Sequence, residues 1–218
     1  MIEAAARPHR RNGGFTLVEL LAAIALMALM AVLSWRGLDG MAQAQAQIGR
    51  HADEVLALQA GLAQWKVDLD ALADAPGAAN LDWNGGTLRL TRRPAAEGEG
   101  LRVVAWTRRA DSGGQWLRWQ SPPLRTAGEW TEAWRRAALW AQQAGAADRQ
   151  FEVGVAPLDN WQVLYFRDGA WVPPAAAQPA AQGLPEGIRL LLTLPSGRAV
   201  SGTLTVDWVR LTDGAGRS

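Results

Sequence analysis

The chain opens on one long apolar run and then settles into shorter, patterned segments. Between residues 15 and 35 only Thr16, Glu19 and Ser34 are polar, and residues 20–33 hold neither charge nor proline. Twenty-one helical residues rise about 31 Å, close to the thickness of a bilayer's hydrocarbon core. Ala, Leu, Met and Ile dominate, and all suit a helix. The pattern predicts a membrane-crossing helix over residues 15–35. A cleavable secretory signal would place a small-x-small site after the run, but Ser34-Trp35-Arg36-Gly37 stands there instead.

Residues 36–40 interrupt the apolar pattern. Gly37 and Gly40 weaken a helix, and Trp35 with Arg36 suits a membrane–water boundary. Helix is expected to resume over residues 41–73. Its apolar positions are Met41, Ile48, Val55, Leu58, Leu62, Trp65, Leu69 and Leu72, an amphipathic stripe. It is sparse at first and dense later. The stripe is therefore expected to pack on a sheet from about Val55 onward, with residues 43–47 more exposed. The alternative is a coiled coil with another subunit. Asp74-Ala75-Pro76-Gly77 ends the helix.

Strand-like runs with turn punctuation follow. Leu81-Asp82-Trp83 and Thr87-Leu88-Arg89-Leu90 flank Asn84-Gly85-Gly86, which predicts a hairpin. Residues 94–100 read as a polar turn. Residues 101–108 and 115–120 pair across Asp111-Ser112-Gly113-Gly114, and Pro122-Pro123 ends that strand. Residues 126–143 turn helical, an insertion between strands. Residues 151–155, 161–166 and 170–172 return to strand character. Residues 173–183 form a Pro/Ala/Gln linker expected to hold little fixed structure. Residues 188–194 and 200–211 make a last hairpin around Pro195-Ser196-Gly197, and the tail 212–218 is expected to be mobile. The fold class is α+β, a long N-terminal helix packed on antiparallel sheets.

Composition bounds the chemistry. The net charge is +1, and the leader 1–14 contributes +2 through Arg7, Arg10, Arg11 and Glu3, which leaves −1 beyond it. The balance makes no case for nucleic acid as partner. Positive charge stays cytoplasmic, so the C-terminal bulk is expected to be exported. Cysteine is absent, which excludes a disulfide framework and a thiolate metal site. The two histidines are His9, in the leader, and His51. His51 near Asp53 and Glu54 gives at most two ligands on one helix face, short of a metal site. Asp68 and Asp70, two apart, point to different faces. Nothing supplies nucleophilic catalysis or a phosphate loop, so no enzyme, cofactor or metal is expected.

Glu19 is the residue the apolar run does not explain. A lone carboxylate inside a membrane helix costs a few kcal/mol unless it is paired or neutralised. If the chain is cut after Gly14, the free amine of Phe15 lies one turn from Glu19, and an amine on one subunit can meet the carboxylate of a neighbour at low dielectric. Gly14-Phe15-Thr16-Leu17-Val18-Glu19 resembles the type IV prepilin processing motif at every specified position. The resemblance implies that an inner-membrane prepilin peptidase cuts between Gly14 and Phe15 and N-methylates Phe15. It also implies that Glu19 guides assembly into a helical filament.

Trp35-Arg36-Gly37-Leu38-Asp39 resembles the string after the anchor in the J-type minor pseudopilins of type II secretion systems. Segments 116–123 and 161–171 resemble that family's sheet strands. The resemblance implies a leader (1–14), a transmembrane helix (15–35), a periplasmic helix (36–75), a periplasmic β-rich domain (76–211) and a tail (212–218). It further implies a single-pass inner-membrane protein at a pseudopilus tip, assembling with minor pseudopilins I, K and H and carrying no catalysis. Two other readings stand beside it: a type IV pilus minor pilin for adhesion or DNA uptake, and a simple anchored periplasmic binding domain.

Tryptophan is abundant, at 12. Trp106, Trp116, Trp119 and Trp161 read as buried sheet residues. Trp130, Trp134 and Trp140 read either as core of the helical insertion or as a partner surface. Arginine outnumbers lysine 21 to 1, Lys66 being the single lysine.

Overall fold

The computed structural model describes residues 15–73, 80–94, 96, 98–110, 113–174 and 183–210. The leader, most of the 74–77 helix stop, most of the 173–183 linker and the tail from residue 211 lie outside the described residues. The chain divides into two compact units, one up to Arg50 and one from His51 on.

Helix α1 runs Leu17–Asp70 without a break. The interruption expected at residues 36–40 does not occur. Each glycine costs about 1 kcal/mol relative to alanine, and extending a formed helix is far easier than nucleating a second one. α1 also stops short of residue 73. Leu72 bridges to Arg92, and the Ala73 N–H donates to the Thr91 carbonyl at 2.8 Å.

The second unit holds two antiparallel sheets. The first comprises β1 (Leu81–Trp83), β2 (Thr87–Arg92), β3 (Arg102–Arg109), β4 (Gln115–Gln120) and β5 (Glu152–Pro157), in that spatial order. Between β4 and β5 the chain inserts α2 (Ala127–Gln142) and the short α3 (Ala146–Arg149). The second sheet has the order β7-β6-β8-β9, from β6 (Asn160–Arg167), β7 (Ala170–Val172), β8 (Gly187–Leu194) and β9 (Gly202–Val209). The expected hairpins form, with Leu81 opposite Leu90 in one and Leu194 opposite Gly202 in the other. The last strand is shorter than the 200–211 expected. Helix followed by antiparallel sheets is the α+β order consistent with a pilin-like fold.

Alternation along β3 and β4 sends side chains to two separate cores. Val104, Trp106 and Trp116 face a core that also holds Leu58, Trp65 and Leu69 of α1 and Trp161, Ile188, Leu190 and Leu192 of the second sheet. Val103, Ala105, Leu117 and Trp119 face the opposite way, against Ala133, Ala137 and Trp140 of α2. The first sheet is thus covered on both faces. Tryptophans knit the first core: Trp65 meets Trp106 edge-on at 5.4 Å, and Trp83 of β1 meets Trp161 of β6 at 4.6 Å.

α2 begins on a capping box, in which Thr126 Oγ1 accepts from the Glu129 N–H and the Glu129 carboxylate accepts from the Thr126 N–H. Its tryptophans belong to the fold. Trp140 is fully buried and donates from Nε1 to Glu152 at 2.6 Å; Trp130 donates to Thr91 Oγ1 at 3.0 Å. Trp134 lies under the Arg89 guanidinium at 4.9 Å. Of the two readings of these residues, core packing holds.

Three carboxylates on α1 fasten it within its unit. Glu54 accepts from Arg198 Nη1 at 2.7 Å and from the Ala199 N–H at 3.1 Å. The Ala199 N–H, and then Arg198, hold its carboxyl below the usual carboxylate range. Asp70 accepts from Trp208 Nε1 at 2.8 Å and from Lys66. Burial pulls its carboxyl up, but those two bonds more than offset that and hold it low. Asp68, two residues away, faces the first sheet, as the two-residue offset predicts.

Gly61 sets the helix-to-sheet distance. A Cβ there would lie 2.0 Å from Val155 Cγ1 and 3.6 Å from Trp116 Cζ3. Gly61→Ala is expected to lower stability by about 1–3 kcal/mol through overpacking, although alanine gains about 1 kcal/mol over glycine in a helix. Urea unfolding of the full chain in detergent, followed by tryptophan fluorescence, gives the sign. A variant more stable than the parent would contradict this close approach.

Candidate functional site

The site begins where the described chain begins. Phe15 precedes the first helical turn and is 84% exposed. Thr16 starts the helix: its hydroxyl accepts from the Glu19 N–H at 3.3 Å, and its carbonyl accepts from the Leu20 N–H at 3.2 Å. Thr16 therefore plays the N-cap part, and the T-x-x-E spacing of Thr16 and Glu19 was its legible signal. Glu19 sits in the first turn, where a negative charge opposes the positive end of the helix dipole.

From Leu17 to Leu33 the large apolar side chains are all more than half exposed. α1 contains a stretch long and apolar enough to cross a membrane, and none of that stretch is buried against the protein. Such a surface is stable in lipid or against other apolar helices and unfavourable in water. The Glu19 carboxylate is exposed on it, and among the described residues no group pairs with it. In hydrocarbon this calls for a partner of opposite charge. In the uncut chain the Phe15 nitrogen is an amide and cannot be that partner; cleavage would make it a cation. Gly14, the other half of the expected cleavage site, lies outside the described residues.

No chemistry competes with this site elsewhere. Among the described residues, no three His, Asp or Glu side chains converge as a metal site needs. His51 lies on the exposed face of α1.

The residues that sequence reasoning passed over are at the other end of α1. Asp68 is fully buried and accepts five hydrogen bonds: from Gln64 (2.8 Å), Arg92 (3.2 Å), Trp106 Nε1 (3.0 Å) and twice from Arg118 (2.7 and 2.8 Å). Its partners are scattered from residue 64 to residue 118, so spacing along the chain carried no sign of them.

Residues 9–35 match the family model described as the prokaryotic N-terminal methylation motif. No curated protein matches the chain. The motif, spanning the end of the leader and the whole anchor, supports a type IV pilin-like protein with a methylated N-terminus and a membrane-embedded helix. It also implies processing by a prepilin peptidase and assembly with other pilin-like proteins.

Proposed function

We propose that the chain is a minor pseudopilin of a type II secretion pseudopilus, most like component J. The observation that carries this reading is the pairing of Gly14-Phe15-Thr16-Leu17-Val18-Glu19 with Trp35-Arg36-Gly37-Leu38-Asp39 at the far end of one anchor. Prepilin peptidase cuts between Gly14 and Phe15 and methylates the new amine. The Glu19 carboxylate then pairs with the Phe15 amine of a neighbour in the bilayer, and the domain beyond lies in the periplasm. The protein assembles with minor pseudopilins I and K, with H nearby, into a tip complex that starts pseudopilus growth. It has no catalysis of its own and binds no cofactor.

A type IV pilus minor pilin shares the same anchor, and the W-R-G-L-D string favours the secretion reading over it. The full chain, extracted in mild detergent, is expected to co-purify with I and K partners from a secretion operon. Recovery with pilus components, and not with I or K, would overturn the secretion reading.

A further inference from the structure

We infer that the end of the first sheet around Arg102 is a docking site for an acidic peptide segment. Arg92 and Arg102 are direct cross-strand partners of β2 and β3. They share the face of Leu88, Leu90, Val104 and Trp106, the face turned to α1. Like charges directly opposite each other in an antiparallel pair are destabilising, so the fold carries a cost here that its own packing does not explain.

Asp68 does not remove that cost. Its two oxygens already take five donors, Arg92 and Arg118 among them, and a carboxylate offers about four lone-pair sites. One buried charge thus answers two guanidiniums and has no capacity for a third. Arg102 is half-buried, and among the described residues no carboxylate pairs with it. Glu99, exposed in the β2–β3 connection, forms no ion pair with these arginines. Arg93 and Arg125 are exposed beside them, the latter next to the bridge between Leu101 and Leu124. The result is a local excess of positive charge around one half-buried guanidinium fork that lacks an acceptor.

A carboxylate fits that fork in bidentate fashion. A nucleic-acid backbone fits it poorly. It needs a run of cations, whereas this fork lies beside Asp68 on a chain whose net charge beyond the leader is −1. The occupant is therefore an acidic stretch of a protein, received by Arg102 and steered by Arg93 and Arg125. The site depends neither on the anchor nor on the secretion reading, and fails or stands apart from both.

The test is titration of the full-length protein, in a non-ionic detergent, with fluorescein-labelled hexaglutamate. Saturable binding that weakens as salt rises is expected. Arg102→Gln is expected to lose affinity about tenfold and Arg125→Gln by less, while Arg149→Gln on α3 changes nothing. The urea midpoint of Arg102→Gln is expected to equal or exceed the parent's, because opposed charges are relieved. No saturable binding, unchanged affinity in both the Arg102 and Arg125 variants, or tighter binding of an oligothymidylate than of the peptide would each overturn the site.

Discussion

Asp68→Ala is expected to destabilise the domain by about 3–5 kcal/mol, the cost of leaving buried charges without their partner. The substitution strips the acceptor from Arg92 and Arg118, and it also orphans Trp106 Nε1. The side chains of the two arginines are 19% and 12% exposed, too little for water to take over fully. It also leaves a void between α1 and the first sheet. Because domain stabilities are typically about 5–15 kcal/mol, most of the folded population is at risk. Urea unfolding read by tryptophan fluorescence measures the loss directly, since the tryptophan cluster spans α1 and both sheets. A loss under about 1 kcal/mol would mean that Asp68 is a bystander in a network held by other contacts.

Glu19→Ala is expected to act in the opposite way, leaving the fold and the processing largely intact and impairing assembly. Glu19 lies in the first turn of α1 and takes no part in the two cores. Cleavage after Gly14 leaves its peptide bond untouched. What the variant removes is the carboxylate that an incoming amine needs in hydrocarbon, where a unit charge without a partner costs a few kcal/mol. Secretion and recovery of the tip complex are expected to fall sharply, while the processed form accumulates in the membrane. Unchanged secretion together with unchanged tip-complex recovery would count against the pairing role.

The anchor was legible because its physics is local. A run of apolar residues, one carboxylate and a small-residue junction each announce themselves within a few positions. The strands of both sheets were legible for the same reason, since Asn84-Gly85-Gly86 and Pro195-Ser196-Gly197 punctuate them. Gly37 and Gly40 misled because propensity was weighed without the cooperativity that carries a helix across two weak positions. The reach of α2 over the back of the first sheet left its sign in Ala133, Ala137 and Trp140, but a stripe does not say which face it covers. Asp68 was read for its own helix face, and only the fold brings Arg92 and Arg118 to it. Gly61 looked like an ordinary helix glycine, and its near-contact with Val155 arises from pairings far along the chain.

The central claim is that this chain is matured at Gly14–Phe15 so that Phe15 and Glu19 can meet between subunits in the membrane. Intact-mass and N-terminal fragment spectra of the protein, from cells with active prepilin peptidase, test it most directly. The account predicts a chain that begins at N-methylated Phe15, and one that still begins at Met1 when the peptidase is removed. A chain that keeps Met1 while the peptidase is active, or one cut beyond Ser34 instead, would contradict it.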